Sequence, residues 1–531
     1  MQETQQLEKR IETMFNNRKT WESLWQTVYE YIAPERALFT QGGQAKDPSS
    51  IAEHVYDSTA IDATERLTNL VISGLTPPWK KWFRLVPGPN INDDEAEQIR
   101  PMLDYVEDMV HNELRKSNFY QEMQPLITDR IVGGTGIISF WPPAGPGDGF
   151  QFKAIPLAEC ALEEDNQGNI SAVARKVYMS FRDIMRSWPD GPSQIWREQN
   201  ENAPDDPKHE VQMICAKDAA GQWQYVIRLA QDKQILKQDV KNYPVLYATR
   251  WSKIPGSPYG RGPGLRALAD VRSLNKLKQL SLENAALAVS GVYTVVDDGV
   301  INPWTISITP GAMIPVFSNA PNERSIAPLE SASNFDVSQW SMEYLRSSIQ
   351  QIFLADQFGP LEKTPKSATE IRERTRIIAQ ELGATISRLQ YEILTPIIQA
   401  IMQEMGNQDK IPPEIQIDGE NINAEFVSRL AQAQWAEEEQ NLVEYSQIVA
   451  EFGQIDPQAG LVLNIHSALR EVGHLKGIPA KHFRTQQEIE QKMQQAAQAQ
   501  QEMQAEGMDP QQQVHQEARP QGGQGGQGRQ R

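Results

Sequence analysis

Between residues 260 and 405 the chain sets out two long helical patterns separated by a short β-rich excursion, then a loop carrying Pro and Lys, then a third helical pattern that runs into Pro396. Two helices that leave and return must pack on each other and hold whatever lies between them at their far end. The first, 265–290, has an apolar stripe at Leu265, Leu268, Val271, Leu274, Leu277, Leu280, Leu282 and Leu287. After Gly291 the pattern is strand-like at 292–296 and 305–309, with turns at Asp297-Asp298-Gly299 and Pro310-Gly311 and a further short strand over 312–317. The second helix, 336–358, places Val337, Trp340, Tyr344, Leu345, Ile349, Ile352 and Phe353 on one side. Ser367-Ala368-Thr369-Glu370 fits a capping box, so the third helix begins there, with Ile371, Ile378, Leu382, Leu389, Ile393 and Ile397 as its stripe. Pro396 lacks a backbone donor and must kink or stop that helix. Such a layout suits a mechanical or conduit role better than catalysis.

The first half reads as α+β, within a chain that is mainly helical. Apolar spacing predicts helices over 3–32, 58–74, 93–116 and 120–132. Gly133-Gly134-Thr135-Gly136 then turns the chain into a strand at 137–141, and β-branched and aromatic residues predict strands over 170–179, 210–216, 223–230 and 244–250. Beyond the third long helix, 423–452 and 457–472 read as helices closed by Gly453 and Gly473. From 486 onward Gln and Gly dominate, a composition with too little apolar surface to offset the entropy of ordering.

Composition excludes several classes. A net charge of −18 argues against a protein that grips nucleic acid over its whole surface, because tight binders neutralise phosphates with clustered cations. An acidic wall does help anything that must slide along DNA without sticking. Cys160 and Cys215 are too few for a disulfide framework and match no zinc spacing, which suits a reducing compartment. The polar N-terminus lacks the apolar core of a secretory signal, and no apolar run is long enough to span a membrane.

Catalytic signatures are missing as well. There is no phosphate-gripping Gly-x-x-x-x-Gly-Lys-Ser/Thr, no His-Glu-x-x-His and no Gly-x-Ser-x-Gly. His466, His474 and His482 recur every eight residues, but eight residues advance a helix by two turns plus about 80°, and Gly473 interrupts them, so no metal site is expected. Asp93-Asp94-Glu95 suits a helix N-terminus and Glu437-Glu438-Glu439 a solvated helix face. No cofactor is implied. The loop 359–366 differs, because Lys363 and Lys366 sit between Pro360 and Pro365 at the junction of two long helices. It is either a solvated connection or a protruding loop that touches a passing phosphate backbone, where a few charges per subunit add up around a ring.

Taken in order, the short motifs of this chain resemble the portal, or head-to-tail connector, proteins of tailed bacteriophages, especially those of short-tailed phages similar to T7. The residues that carry the resemblance are Arg18 with Trp21, Trp25, Tyr31 and Pro34; Tyr56-Asp57-Ser58-Thr59-Ala60; Leu75-Thr76-Pro77-Pro78-Trp79; and Trp82-Phe83. They continue with Ser117-Asn118-Phe119; Gly134-Thr135-Gly136; Tyr259-Gly260-Arg261-Gly262-Pro263; Leu274-Asn275-Lys276-Leu277; Ala368-Thr369-Glu370-Ile371 with Arg374; and Gly477-Ile478-Pro479 followed by Arg484, Glu488 and Ile489.

The resemblance implies a portal-type architecture of wing, stem, clip and crown. Carried onto this chain, it makes 1–260 the wing, 261–290 and 333–358 the stem helices and 291–332 the β-rich clip. Residues 359–367 become the tunnel loop, 368–419 a kinked tunnel helix returning to the wing, 420–485 a helical crown and 486–531 a mostly disordered tail. It further implies a homo-oligomeric ring of about twelve subunits at one capsid vertex, through which double-stranded DNA passes during packaging and ejection. Implied partners are a terminase that supplies the packaging energy, a tail adaptor, capsid and scaffolding proteins and internal core proteins. On this reading Lys363 and Lys366 contact DNA, Pro396 kinks the tunnel helix, and Asp297, Asp298 and Trp304 belong to the docking surface of the clip. The chain would be a virion component assembled in host cytoplasm, with no enzymatic role. The alternatives are a phage DNA-processing enzyme, a nucleotide hydrolase or nuclease, and a ring-forming virion adaptor without a DNA channel.

Overall fold

Apolar residues three or four apart from Leu7 to Ile32 produce a single 31-residue helix, α1 (Gln2–Ile32). It is the first element of a computed structural model that describes residues 2–37, 54–143, 147–201, 207–218, 220–290, 335–355, 368–412, 422–427 and 441–452, with shorter pieces at 293–295 and 326–328 and a few isolated positions. The chain divides into two compact units, residues 1–85 with 106–437, and residues 86–105 with 438–531. The second contains the start of α3 (Asp93–Lys116) and a helical run over 441–452.

After α1 the chain runs through α2 (Thr59–Leu75) and β1 (Phe83–Pro87) to α3, then α4 (Phe119–Val132), β2 (Thr135–Trp141) and β3 (Gln151–Ile155). A meander follows, of β4 (Cys160–Glu164), β5 (Ile170–Met179), β6 (His209–Lys217), β7 (Trp223–Leu229) and β8 (Ile235–Lys241), with α5 (Phe181–Ser187) and α6 (Gln194–Glu201) inserted after β5. These five strands form one antiparallel sheet in sequence order. β9 (Leu246–Arg250) returns to β2, giving a second sheet of order β3-β2-β9, and β10 (Lys253–Ile254) pairs with β11 (Ser257–Gly260) before the long helices.

One buried cluster of the first unit lies where α1 covers the five-stranded sheet. Ile11 and Met14 are buried against Ala161, Ala172, Ala174, Ile214, Ala216 and Val226, with Leu7 and Phe15 at the edge. Alanines on that sheet face leave room for the helix to approach closely, and the bulk comes from the helix. α4 is central, burying Phe119, Met123, Leu126, Ile127, Ile131 and Val132.

The excursion of two helices is α7 (Pro263–Ser290) out and α8 (Phe335–Ile352) back. Between them, β12 (Tyr293–Val295) pairs antiparallel with β13 (Ile326–Pro328), Tyr293 opposite Pro328. The strand expected at 292–296 is thus present, while those expected at 305–309 and 312–317 lie outside the described residues. The third helix begins at Ala368, as α9 (Ala368–Leu389), and continues as α10 (Thr395–Asn407) after a π-turn over Gln390–Leu394. β14 (Ile422–Phe426) then pairs with β1.

Three expectations are corrected. The helix read over 336–358 ends at Ile352, because Leu354 turns to a positive φ of 56° and Ala355 N–H bonds back to the Gln350 carbonyl at 2.8 Å. The helix read from 423 begins instead as the strand β14: Ile422, Ala424 and Phe426 alternate with polar residues, a period of two, and Val427 N–H reaches the Trp82 carbonyl at 3.0 Å. Finally, the apolar stripes of the two long helices are only half buried. Ile349 and Phe353 are fully enclosed, but Trp340 and Tyr344 are 70% and 66% exposed, and Leu280 and Leu282 are also open.

Candidate functional site

The joint where the sheets meet the two long helices is built from glycine. α4 ends at Val132, and Gly134 takes a φ of +83° so that the chain can turn into β2. A Cβ on Gly134 would fall 2.3 Å from the Gly260 carbonyl oxygen, and one on Gly262 would fall 2.2 Å from that of Ile131. The turn Gly133-Gly134-Thr135-Gly136 and the segment Gly260-Arg261-Gly262-Pro263 are therefore one backbone-to-backbone seam. Trp251 N–H donates to the Gly134 carbonyl at 2.9 Å, and Gly260 N–H to Thr135 Oγ1 at 3.0 Å. α7 starts directly from this seam.

Several other motifs, among the described residues, also clamp segments distant in sequence. Arg18 of α1 donates to the carbonyls of Ala158 and Cys160 at 2.7 and 2.8 Å. Trp25 donates to the Gly133 carbonyl at 3.2 Å and meets the ring of Tyr259 edge-on at 4.8 Å. The Asn118 side chain both donates to and accepts from the backbone of Phe152, at 2.8 Å each way, as a neighbouring strand would. Trp82 stacks with both Phe119 and Phe426.

Two clamps hold the outgoing and returning helices to the segment before α2. Asn275 of α7 accepts from Tyr56 N–H at 2.7 Å and donates to the His54 carbonyl at 2.8 Å. Asp57 accepts from Arg346 of α8 at 2.6 Å; partial burial raises the pKa of its carboxyl, but bonds from Thr59 and Arg346 together hold it below the usual range. Ser348 of α8 donates to Asp270 of α7 at 2.7 Å.

The third helix is pinned through its π-turn. Glu392 accepts three bonds from Arg250 at the end of β9: from backbone N–H at 2.8 Å, from Nε at 3.1 Å and from Nη2 at 2.8 Å. Arg250 also reaches Glu164 at 3.2 Å and the Gly168 carbonyl at 3.0 Å. Arg130, fully buried in α4, donates Nη2 to the carbonyls of Arg250 and Thr385 and lies over the Trp251 ring, while its Nε and Nη1 have no hydrogen-bond partner. Burial pulls its pKa down to about 9, against the opposing field of Glu392, so it remains a cation at neutral pH. These groups hold elements together.

Pro396 lies just beyond this π-turn, and the chain stays helical through it. Thr395 N–H bonds to the Gln390 carbonyl, a five-residue step that takes up the register mismatch a proline introduces. Lys363 and Lys366 lie outside the described residues, as do Asp297, Asp298 and Trp304. Glu392, Arg250 and Arg130 were passed over in the sequence because charged residues on a helix or at a strand end look solvated until the third element that buries them is known. Among the described residues, no group of three or more His, Cys, Asp or Glu side chains is placed to hold a metal ion, and no helix is long and apolar enough to cross a membrane.

Comparison with known proteins places these contacts in a family context. The sequence model of the family described as "Bacteriophage head to tail connecting protein" matches residues 4–483. The chain is 26% identical over 454 residues to a probable portal protein of Bordetella phage BPP-1, covering 79% of this chain and 78% of that one. It is 21% identical over 515 residues to the portal protein of Salmonella phage epsilon15, covering 92% and 90%. With the portal protein of Escherichia phage T7 it shares 18% over 421 residues, covering 76% and 74%.

Proposed function

The chain belongs to the family of bacteriophage head-to-tail connecting proteins, the portal proteins of tailed phages and components of the virion at the capsid's portal vertex, and from that premise we propose a residue-level division of labour within a DNA-conducting ring. The family match over residues 4–483 carries the reading, because it spans the seam, both long helices and the π-turn together.

On this reading about twelve copies close into a ring whose central channel passes double-stranded DNA. α7 and α8 form the stem, 291–332 the clip, and the clip docks first the terminase and then the tail adaptor, with Asp297, Asp298 and Trp304 on its docking surface. Residues 359–367 form the tunnel loop that brings Lys363 and Lys366 to the phosphates, and α9 with α10 carries it. Giving β14 back to the wing shortens the crown to about 428–485, which faces the packaged DNA and internal core proteins. The role is structural and the terminase supplies the energy. Glycine seam, side-chain clamps and buried ion pairs support a part that must transmit force between head and tail without yielding.

Mass measurement and class-averaged electron microscopy of the purified protein test this. The expected result is a closed ring with a pore of about 20 Å or more, wide enough for a duplex whose major groove alone is on the order of 12 Å across. A stable monomer, or a ring too narrow for a duplex, would overturn it.

A further inference from the structure

We propose that the exposed faces of α7 and α8 are the two halves of one contact between neighbouring copies of this chain: the cations of α7 in one copy seat on the aromatic pair of α8 in the next. The proposal rests on the ring reading above and assigns the residues that join its stem.

The two faces are chemically unlike. On α7, Arg272, Lys276 and Leu280 follow one another at four-residue steps and all are exposed. Among the described residues, the Arg272 guanidinium makes no hydrogen bond or ion pair, and Lys276 reaches only the neutral Gln279, at 3.1 Å. On α8, Trp340 and Tyr344 are stacked on each other with centroids 6.3 Å apart and planes 22° apart, and both are largely exposed. Glu343 stands beside them, meeting only Gln339 on its own helix. Stacked rings with a carboxylate suit Lys and Arg, through the ring faces and the ion pair.

Their heights along the stem agree. Asp270 and Ser348 are bonded near one end of the helix pair, and Tyr293 lies opposite Pro328 beyond the other, so the two helices run antiparallel. Counting from the Asp270–Ser348 level at about 1.5 Å per residue, Arg272 lies at about 3 Å and Lys276 at about 9 Å. By the same rise Tyr344 lies at about 6 Å, Glu343 at about 7.5 Å and Trp340 at about 12 Å, so Lys276 falls between the two rings. A cyclic assembly relates copies by rotation without translation, so equal heights are what a head-to-tail contact around a ring requires. Leu280 continues the α7 face to about 15 Å, beside Trp340. An apolar residue there serves a protein neighbour and would be idle against a phosphate backbone, and the net charge of −18 also disfavours DNA as the occupant.

Two variants of the full-length protein test the contact by mass measurement. One carries Arg272→Glu with Lys276→Glu, spoiling the α7 face only; the other carries Trp340→Ala with Tyr344→Ala, spoiling the α8 face only. All four side chains are exposed, and unchanged melting of each variant confirms folding. Each variant alone should assemble about tenfold more weakly per interface than the parent. Mixed in equal amounts they should recover one good contact per pair, seen as enrichment of species containing both variants. Assembly of both variants at the parent's concentration overturns the proposal and leaves the ring standing. So does normal assembly of the first variant combined with weakened duplex binding, which would turn the cations toward the channel. A parent protein that stays monomeric overturns the ring itself, and this contact with it.

Discussion

His111 of α3 is buried. Its Nε2 lies 3.2 Å from the Phe83 carbonyl, its ring stacks on Phe83 at 4.2 Å, and its Nδ1 has no hydrogen-bond partner. Burial pulls its pKa down to about 4; the Phe83 carbonyl opposes this, Lys81 and Arg115 add to it, and Asp108 works against it. The folded value lies below the ordinary value near 6.5, so between the two the unfolded chain binds a proton that the native pocket refuses. Stability from this residue is therefore full above about pH 7 and is lost as pH falls toward 4, by on the order of 3 kcal/mol. His111→Gln keeps a donor for the Phe83 carbonyl and does not titrate. Melting temperatures across that window should fall less steeply in the variant than in the parent, and parallel curves would remove His111 as the source.

At the scale of elements, the glycine seam makes the firmest demand. Gly134→Ala and Gly262→Ala each drive a methyl group into a backbone carbonyl, and Gly134 has a positive φ as well, so each should cost about 3 kcal/mol or more. Gly221 also has a positive φ, of 86°, but nothing closer than the Lys217 side chain at 4.0 Å, so Gly221→Ala should cost only about 1 kcal/mol. Thermal melting ranks the three, and equal losses would show that conformation rather than close approach sets the demand. The turn 133–136 was legible in the sequence as a helix-to-strand turn, but its partner 260–263 was not, because only the fold brings them together. Long helices were legible for the complementary reason: their apolar period is local, and α3 spans the residues expected of it. Short elements such as β3, β8 and α6 were not, since five to eight residues hold too few repeats to separate one period from another. The stripe that runs through Trp340 and Tyr344 exposes a further limit. Periodicity marks a face that avoids water without saying whether this chain or another covers it.

For the whole molecule, the question is how an acidic body can handle a polyanion. With 69 acidic against 51 basic residues, the chain carries a long-range field that repels a duplex, and on the proposed reading only the tunnel loop opposes it, through Lys363 and Lys366. A body made to slide should then hold duplex DNA no more tightly than ordinary non-specific binding, roughly 10⁻⁴ to 10⁻⁶ M at physiological salt. Affinity should fall with salt only as steeply as the few phosphates engaged allow, a slope of about −0.9 per phosphate neutralised on a log–log plot. Replacing Lys363→Ala and Lys366→Ala should flatten that slope by about 0.9 for every phosphate the loop no longer neutralises, while ring mass stays unchanged. Titration of a labelled duplex over a salt series measures both quantities. An unchanged slope would remove the two lysines from the channel, and nanomolar binding with a steep slope would mean a protein that clamps DNA, which the acidic balance exists to prevent.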